Sequence, residues 1–120
     1  MTTNLIICSD LFFVSKVTGT AQALGFDCET VMSGAQAIER VQAIEKLGGV
    51  VIDLTTAGLN LPDVLAAIPT AALQQTIAFG PHVEREALQA AAEGGCAAVF
   101  VRSQLSDELP QILQQYLKLQ

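Results

Sequence analysis

Five short apolar runs punctuate the chain, each followed by a segment whose apolar residues recur at helical spacing. Leu5-Ile6-Ile7-Cys8 is the first run and stops at Ser9-Asp10. From Leu11 to Leu24, the residues Val14, Val17, Ala21 and Leu24 share one helical face, and Gly25 suits the left-handed residue that closes a helix. Asp27 to Met32 alternates as a second strand, nearer a sheet edge. Ser33 is the expected N-cap of a helix over Ala35 to Leu47, with Ala37, Ile38, Val41, Ile44 and Leu47 on its apolar face. Gly48-Gly49 then opens the most telling run: Val50, Val51 and Ile52 are three consecutive β-branched residues, and the run ends on Asp53. Such a run suits a strand buried on both faces at the centre of a parallel sheet.

Beyond Asp53, residues 55 to 60 lack periodicity and read as a loop. Leu61-Pro62 opens a short helix to about Ile68, with Pro62 in the first turn where its missing N–H costs nothing. Gln75 to Phe79 is the fourth strand, broken at Gly80-Pro81, and Val83 to Glu93 is a helix closed by Gly94-Gly95. Ala97 to Val101 is the fifth strand and ends on Arg102. A last helix is expected from Ser106, with Asp107 and Glu108 in its first turn and Leu109, Ile112, Leu113, Tyr116 and Leu117 as its stripe; Pro110 limits where it can begin. Strict alternation with short connections predicts a parallel sheet covered on both faces through right-handed crossovers. The expected fold is therefore α/β and doubly wound, a flavodoxin-like (βα)5 sheet of strand order 2-1-3-4-5 in a single domain spanning residues 1–120. That order gathers Asp10, Asp53, Gly80 and Arg102 at the carboxyl edge of the sheet, where open α/β folds place their sites.

Composition narrows what such a site does. Apolar residues make up 51% of the chain and tryptophan is absent, so the core rests on Ala, Val, Ile and Leu. The net charge of −6, with only six scattered Lys and Arg, argues against direct nucleic-acid binding, which needs clustered cations for phosphate contacts. Cys8, Cys28 and Cys96 lack CxxC spacing and read as small buried thiols of a reducing compartment. No run approaches the ~18 apolar residues of a membrane span, and no leader pattern opens the sequence, so a soluble cytoplasmic protein without membrane contact is expected.

At those four edge positions the sequence resembles, over its whole length, the receiver domain of two-component response regulators, the CheY-like family. The family marks are an acidic pair after strand one, an aspartate ending strand three, a hydroxyl residue ending strand four and a lysine ending strand five. Here they read Ser9-Asp10, Asp53, Gly80 and Arg102. The resemblance implies Asp53 as phosphoacceptor and Asp10, Asp53 and the Thr55 carbonyl as holders of Mg²⁺, with affinity lowered because Ser9 replaces a carboxylate. A cation relieves the repulsion between a carboxylate and an incoming phosphoryl group. Several switching parts depart from the family pattern. Gly80 has no hydroxyl, Val99 replaces the aromatic switch residue, and Ser103 replaces the proline after the lysine position. Thr56-Ala57 stands where Met-Pro is usual, and Leu61 where a glycine is. Arg102 keeps the lysine's charge in a wider planar fork. This pattern is that of a degenerate or pseudo-receiver.

Each mark also has a plainer reading. Asp10 is placed to N-cap the first helix. Arg102, with Gly80 leaving room beside it, is placed to neutralise Asp53 and Asp10 as an ion pair. His82 reads as a solvated loop residue before a general acid. Phe13 joins the core through its spacing to Val17 while Phe12 faces outward, and the pair is a candidate partner-binding patch beside Asp10. The resemblance implies a histidine kinase, phosphotransfer protein or other signalling protein as partner. It also points to a homodimer face on the fourth strand, the helix after it, the fifth strand and the last helix, where Leu88, Tyr116 and Leu119 are candidates. The expected function is a non-enzymatic, stand-alone signalling module acting through protein contact with its phosphorylation switch altered or lost. The alternative is a phosphorylatable single-domain regulator in a phosphorelay. A flavodoxin-like enzyme or ligand-binding protein is the remaining class, opposed by the bulky, acidic Ser9-Asp10-Leu11-Phe12 where a glycine-rich phosphate loop would lie.

Overall fold

The structure is a computed structural model and describes residues 1–119. Its strands are β1 (Thr3–Ile7), β2 (Cys28–Val31), β3 (Leu47–Asp53), β4 (Thr76–Gly80) and β5 (Ala98–Val101). All pair in parallel, in the order β2-β1-β3-β4-β5, the doubly wound flavodoxin-like order expected. Between and after them come α1 (Leu11–Ala23), α2 (Gly34–Ala43), α3 (Leu61–Ala67), α4 (Thr70–Leu73), α5 (Arg85–Glu93), α6 (Arg102–Asp107) and α7 (Leu109–Tyr116).

The pleat of the strands divides the core into two layers. Ile6, Cys8, Val51, Ile77 and Phe79 pack with Val17 and Ala21 of α1 and Leu105, Leu109 and Leu113 of α6 and α7. Their strand neighbours Leu5, Ile7, Val50, Ile52 and Ala78 pack with α2 to α5. Val50, Val51 and Ile52 are each 0% exposed, a burial that stabilises by about 2 kcal/mol per side chain. Asp53 therefore sits at the end of the central strand, behind a fully buried apolar run.

Beyond shifts of one or two residues at strand and helix ends, the elements depart from expectation in four places. The second helix ends at Ala43, because Ile44 turns extended and Leu47 is taken up by pairing with Thr3 of β1. The short helix α4 lies between Pro69 and β4, its Ala72 buried, where the sequence carries no periodic signal. The helix before β5 starts at Arg85, one turn beyond Pro81. The last helix is two helices: α6 begins at Arg102 directly after β5 rather than at Ser106, and the chain breaks at Glu108. Pro110 explains the break, since it brings no N–H and its ring would meet the carbonyl four residues earlier.

Two close approaches hold this frame. Asn4 is 0% exposed and its amide is fully used. Nδ2 donates to the carbonyls of Asp27 (3.1 Å) and Lys118 (2.8 Å), while Oδ1 accepts from the amides of Gly49 (2.8 Å) and Lys118 (2.9 Å). It pins β1, the entry to β2, the start of β3 and the C-terminal segment together. Gly34 opens α2 where a Cβ would stand 2.1 Å from the Gly58 carbonyl oxygen, and its amide donates to the Ala57 carbonyl at 3.0 Å. The loop after Asp53 is thereby fastened to α2. Among the described residues no helix is long and apolar enough to cross a membrane.

Candidate functional site

The carboxyl ends of β1, β3, β4 and β5 meet as the strand order requires. Asp53 is 0% exposed, and every face of its carboxylate is engaged. Oδ1 accepts from the Thr55 amide (2.9 Å) and hydroxyl (2.7 Å), while the Cys8 thiol donates to Oδ2 (3.2 Å). Nη2 of Arg102 lies 3.3 Å from Oδ2 and 3.5 Å from Oδ1. Asp10 faces the same guanidinium: its Oδ2 is 3.6 Å from Nη1. Its Oδ1 meanwhile accepts from the amides of Phe12 (3.0 Å) and Phe13 (3.2 Å), capping α1.

Arg102 thus joins the two acids. It is held by more than charge, with its guanidinium carbon 5.4 Å from the Phe13 ring centre and 5.9 Å from that of Phe79; the two rings stack at 4.8 Å. Phe13 is the core member of the aromatic pair, and Phe12 is 82% exposed beside Leu11 at 69%. A guanidinium over aromatic faces gains about 1 kcal/mol from each ring's quadrupole. Because α6 starts at Arg102 itself, its backbone is helical from the first residue after β5, which fixes the direction of the side chain.

The remaining candidates take other places. Ser9 accepts a hydrogen bond from the Ala57 amide at 3.2 Å, tying the end of β1 to the loop after Asp53. Gly80 faces Leu54 and Leu88: a Cβ there would lie 3.5 Å and 3.8 Å from them, ordinary contact distances, and Arg102 is not among its three nearest neighbours. Val99 pairs with Ala78 and packs in the layer under α2 to α5. Of the residues expected on a self-association face, Leu88 and Tyr116 are half-buried within the chain and Leu119 is 60% exposed.

Cys8 belongs to the site although its sequence signal is only that of a core thiol. The β1–β3 register pairs Ile7 with Ile52, so one residue further it sets Cys8 against Asp53. Burial, reinforced by Asp53, pushes the thiol up to about 12 from 9.0. Below pH 9 the thiol is neutral folded and unfolded; above it the unfolded thiol ionises while the folded one stays protonated, so stability falls as pH rises. Between pH 9 and pH 10, Cys8 contributes a loss of about 1 kcal/mol. Urea denaturation of Cys8→Val should show a shallower alkaline decline than wild type. Equal declines would detach the thiol from this role.

A divalent cation meets a poor donor set here. Among the described residues no group of three or more His, Cys, Asp and Glu side chains converges to hold a metal ion. Asp10 and Asp53 are joined by a guanidinium, and one Asp10 oxygen is spent on two backbone amides. In this arrangement the residues do not fit Mg²⁺, which would have to displace Arg102.

A five-stranded parallel sheet of order β2-β1-β3-β4-β5 with a buried aspartate ending its central strand is a doubly wound, flavodoxin-like α/β architecture. Comparison with solved structures makes the class specific: the fold is that of response-regulator receiver domains. The phosphorylated cyanobacterial phytochrome response regulator RcpA superposes with a TM-score of 0.79 at 12% identity, covering 95% of this chain and 92% of its own. Chemotaxis protein CheY4 of Vibrio cholerae gives 0.77 at 16% identity, with coverage of 98% and 99%. A Burkholderia pseudomallei response regulator with a phosphorylated aspartic acid, calcium ion and citrate gives 0.75 at 15% identity, covering 98% of this chain and 67% of its own. No protein-family model matches the sequence, and no curated protein does.

Proposed function

We propose that this protein is a receiver-like signalling module of the cytoplasm, without enzymatic activity of its own, that works by protein–protein contact with its phosphorylation switch altered or lost. The observation that carries this reading is Arg102, whose guanidinium sits 3.3 Å from Asp53 and 3.6 Å from Asp10. A nucleophilic carboxylate needs an open lone pair and a cation that also grips the incoming phosphoryl group. Asp53 instead has its lone pairs occupied by Cys8, Thr55 and Arg102, and its charge is balanced by a tethered cation. Gly80, without a hydroxyl, offers nothing to hold a phosphoryl oxygen. The outlet for a signal is the exposed Leu11-Phe12 pair at the start of α1, beside the acids; its partner is a histidine kinase, phosphotransfer protein or other signalling protein.

The test is incubation with acetyl phosphate and Mg²⁺, read by intact mass. The expected result is no phosphoryl adduct on wild type under conditions that label a conventional receiver. An adduct present on wild type and absent from Asp53→Asn would replace this reading with the phosphorelay one, in which Asp53 is the phosphoacceptor.

A further inference from the structure

We infer that the cavity between α1, the β4–α5 connection and α6 receives Phe12 of a second copy of this chain, so that two copies exchange these side chains about a two-fold axis. Phe12, Leu11 beside it and Val83 on the β4–α5 connection are all exposed. Single exposed apolar residues are ordinary, but three large ones around one cavity mark an interaction surface. The cavity measures about 430 Å³, ample for an aromatic ring. Phe13, Pro81 and Val101 form its apolar wall, and no carboxylate lines it. Arg102 lines it as well, but that charge is already balanced by Asp10 and Asp53. The cavity therefore selects by shape and apolarity rather than by charge.

The occupant follows from where the ring and the cavity lie. Phe12 directly precedes Phe13, which walls the cavity, yet its own ring is not part of that wall, because successive helical residues point about 100° apart. Ring and cavity are thus neighbours on one face. A two-fold axis between them brings each ring to the other copy's cavity at once, the isologous arrangement in which one residue meets a second and the second meets the first. An aromatic side chain buries about 150–250 Å², so the two rings supply roughly 300–500 Å² of the roughly 1,200 Å² at which specific interfaces begin. Leu11 and Val83 enlarge the patch, and the dimer is weak and reversible. The net charge of −6 on each copy opposes it, and salt screens that repulsion. This face is separate from the one around β5 on which self-association was expected. On the signalling reading, the dimer covers the Leu11-Phe12 pair that a partner grips, so dimer and complex exclude each other.

The experiment is sedimentation velocity of the full chain over a concentration series at low and high NaCl. Wild type should form a reversible dimer toward millimolar concentration, and salt should strengthen it. Phe12→Ala removes the ring, and Ser103→Leu, at an exposed position of α6 that lines the cavity, fills the hole. Each should weaken dimerisation about tenfold or more, as expected when an aromatic anchor loses its pocket. An equimolar mixture of the two variants should associate more tightly than either alone, because the intact ring of Ser103→Leu fits the open cavity of Phe12→Ala. A wild type that stays monomeric at millimolar concentration, either variant dimerising like wild type, salt weakening the dimer, or a mixture no tighter than its components would each overturn the assignment. These outcomes are independent of the acetyl phosphate result, which reads Asp53 and not the cavity.

Discussion

Replacing Arg102 with alanine lowers the unfolding free energy by about 3 kcal/mol and makes the protein respond to Mg²⁺. The first effect follows from burial: Asp53 is 0% exposed, and removing the partner of a buried charge leaves it uncompensated, a loss of several kcal/mol in general. The thiol of Cys8 and the two donors of Thr55 still reach the carboxylate, which keeps the loss at the lower end of that range. The second effect follows from what is uncovered. With the guanidinium gone, Asp10 and Asp53 face each other across the space it filled, and a divalent cation becomes the way to balance them. A ligand that binds only the folded state stabilises it by mass action. Millimolar Mg²⁺ should therefore raise the melting temperature of Arg102→Ala while leaving wild type unchanged, and adding Asp10→Asn should remove the response. If wild type gains as much from Mg²⁺ as the variant, Arg102 does not occupy the cation's place.

Asn4→Ala is expected to cost still more, about 4 kcal/mol or above. Truncation strands the amides of Gly49 and Lys118 and the carbonyl of Lys118, and takes one of two donors from Asp27, whose carbonyl is also reached by the Asn4 backbone at 2.9 Å. Each buried polar group left without a partner costs about 1–3 kcal/mol, less whatever water enters the gap. No apolar replacement is neutral here, because the partners are backbone groups that cannot be replaced along with it. Asn4→Asp is the sharper control: it keeps the size, loses both donors and turns a carboxylate oxygen toward two carbonyls. Urea denaturation checks both variants, and a loss below about 1 kcal/mol for Asn4→Ala would mean that these four hydrogen bonds do not hold the sheet to the C-terminal segment.

Asn4 also shows where sequence reading stops. A polar residue just before Leu5-Ile6-Ile7 looks like the wet end of a strand. Its partners lie as far as 114 positions away, and no local period records them. Cys8 is a similar case. The apolar run correctly buries it, but its hydrogen bond to Asp53, 45 positions on, depends on how β1 and β3 are aligned. Gly80 is a third case: only packing decides that its open side faces Leu54 and Leu88.

Local chemistry carried much of the rest. Period-two and period-3.6 patterns, glycine at helix ends and side-chain oxygens at helix starts act within a few residues, so the sequence alone determined the five β–α alternations, the buried Val50-Val51-Ile52 strand and the caps at Asp10 and Ser33. Alternation implied a parallel sheet, and the sheet implied which strand ends meet. Tertiary structure decided what those ends do on meeting: that α6 starts at Arg102, that the guanidinium lies on Phe13 and Phe79, and that it reaches Asp10 and Asp53 together. Periodicity reports which face of an element is apolar, whereas a charge pair depends on distances of a few ångströms between residues that only the closed sheet brings together.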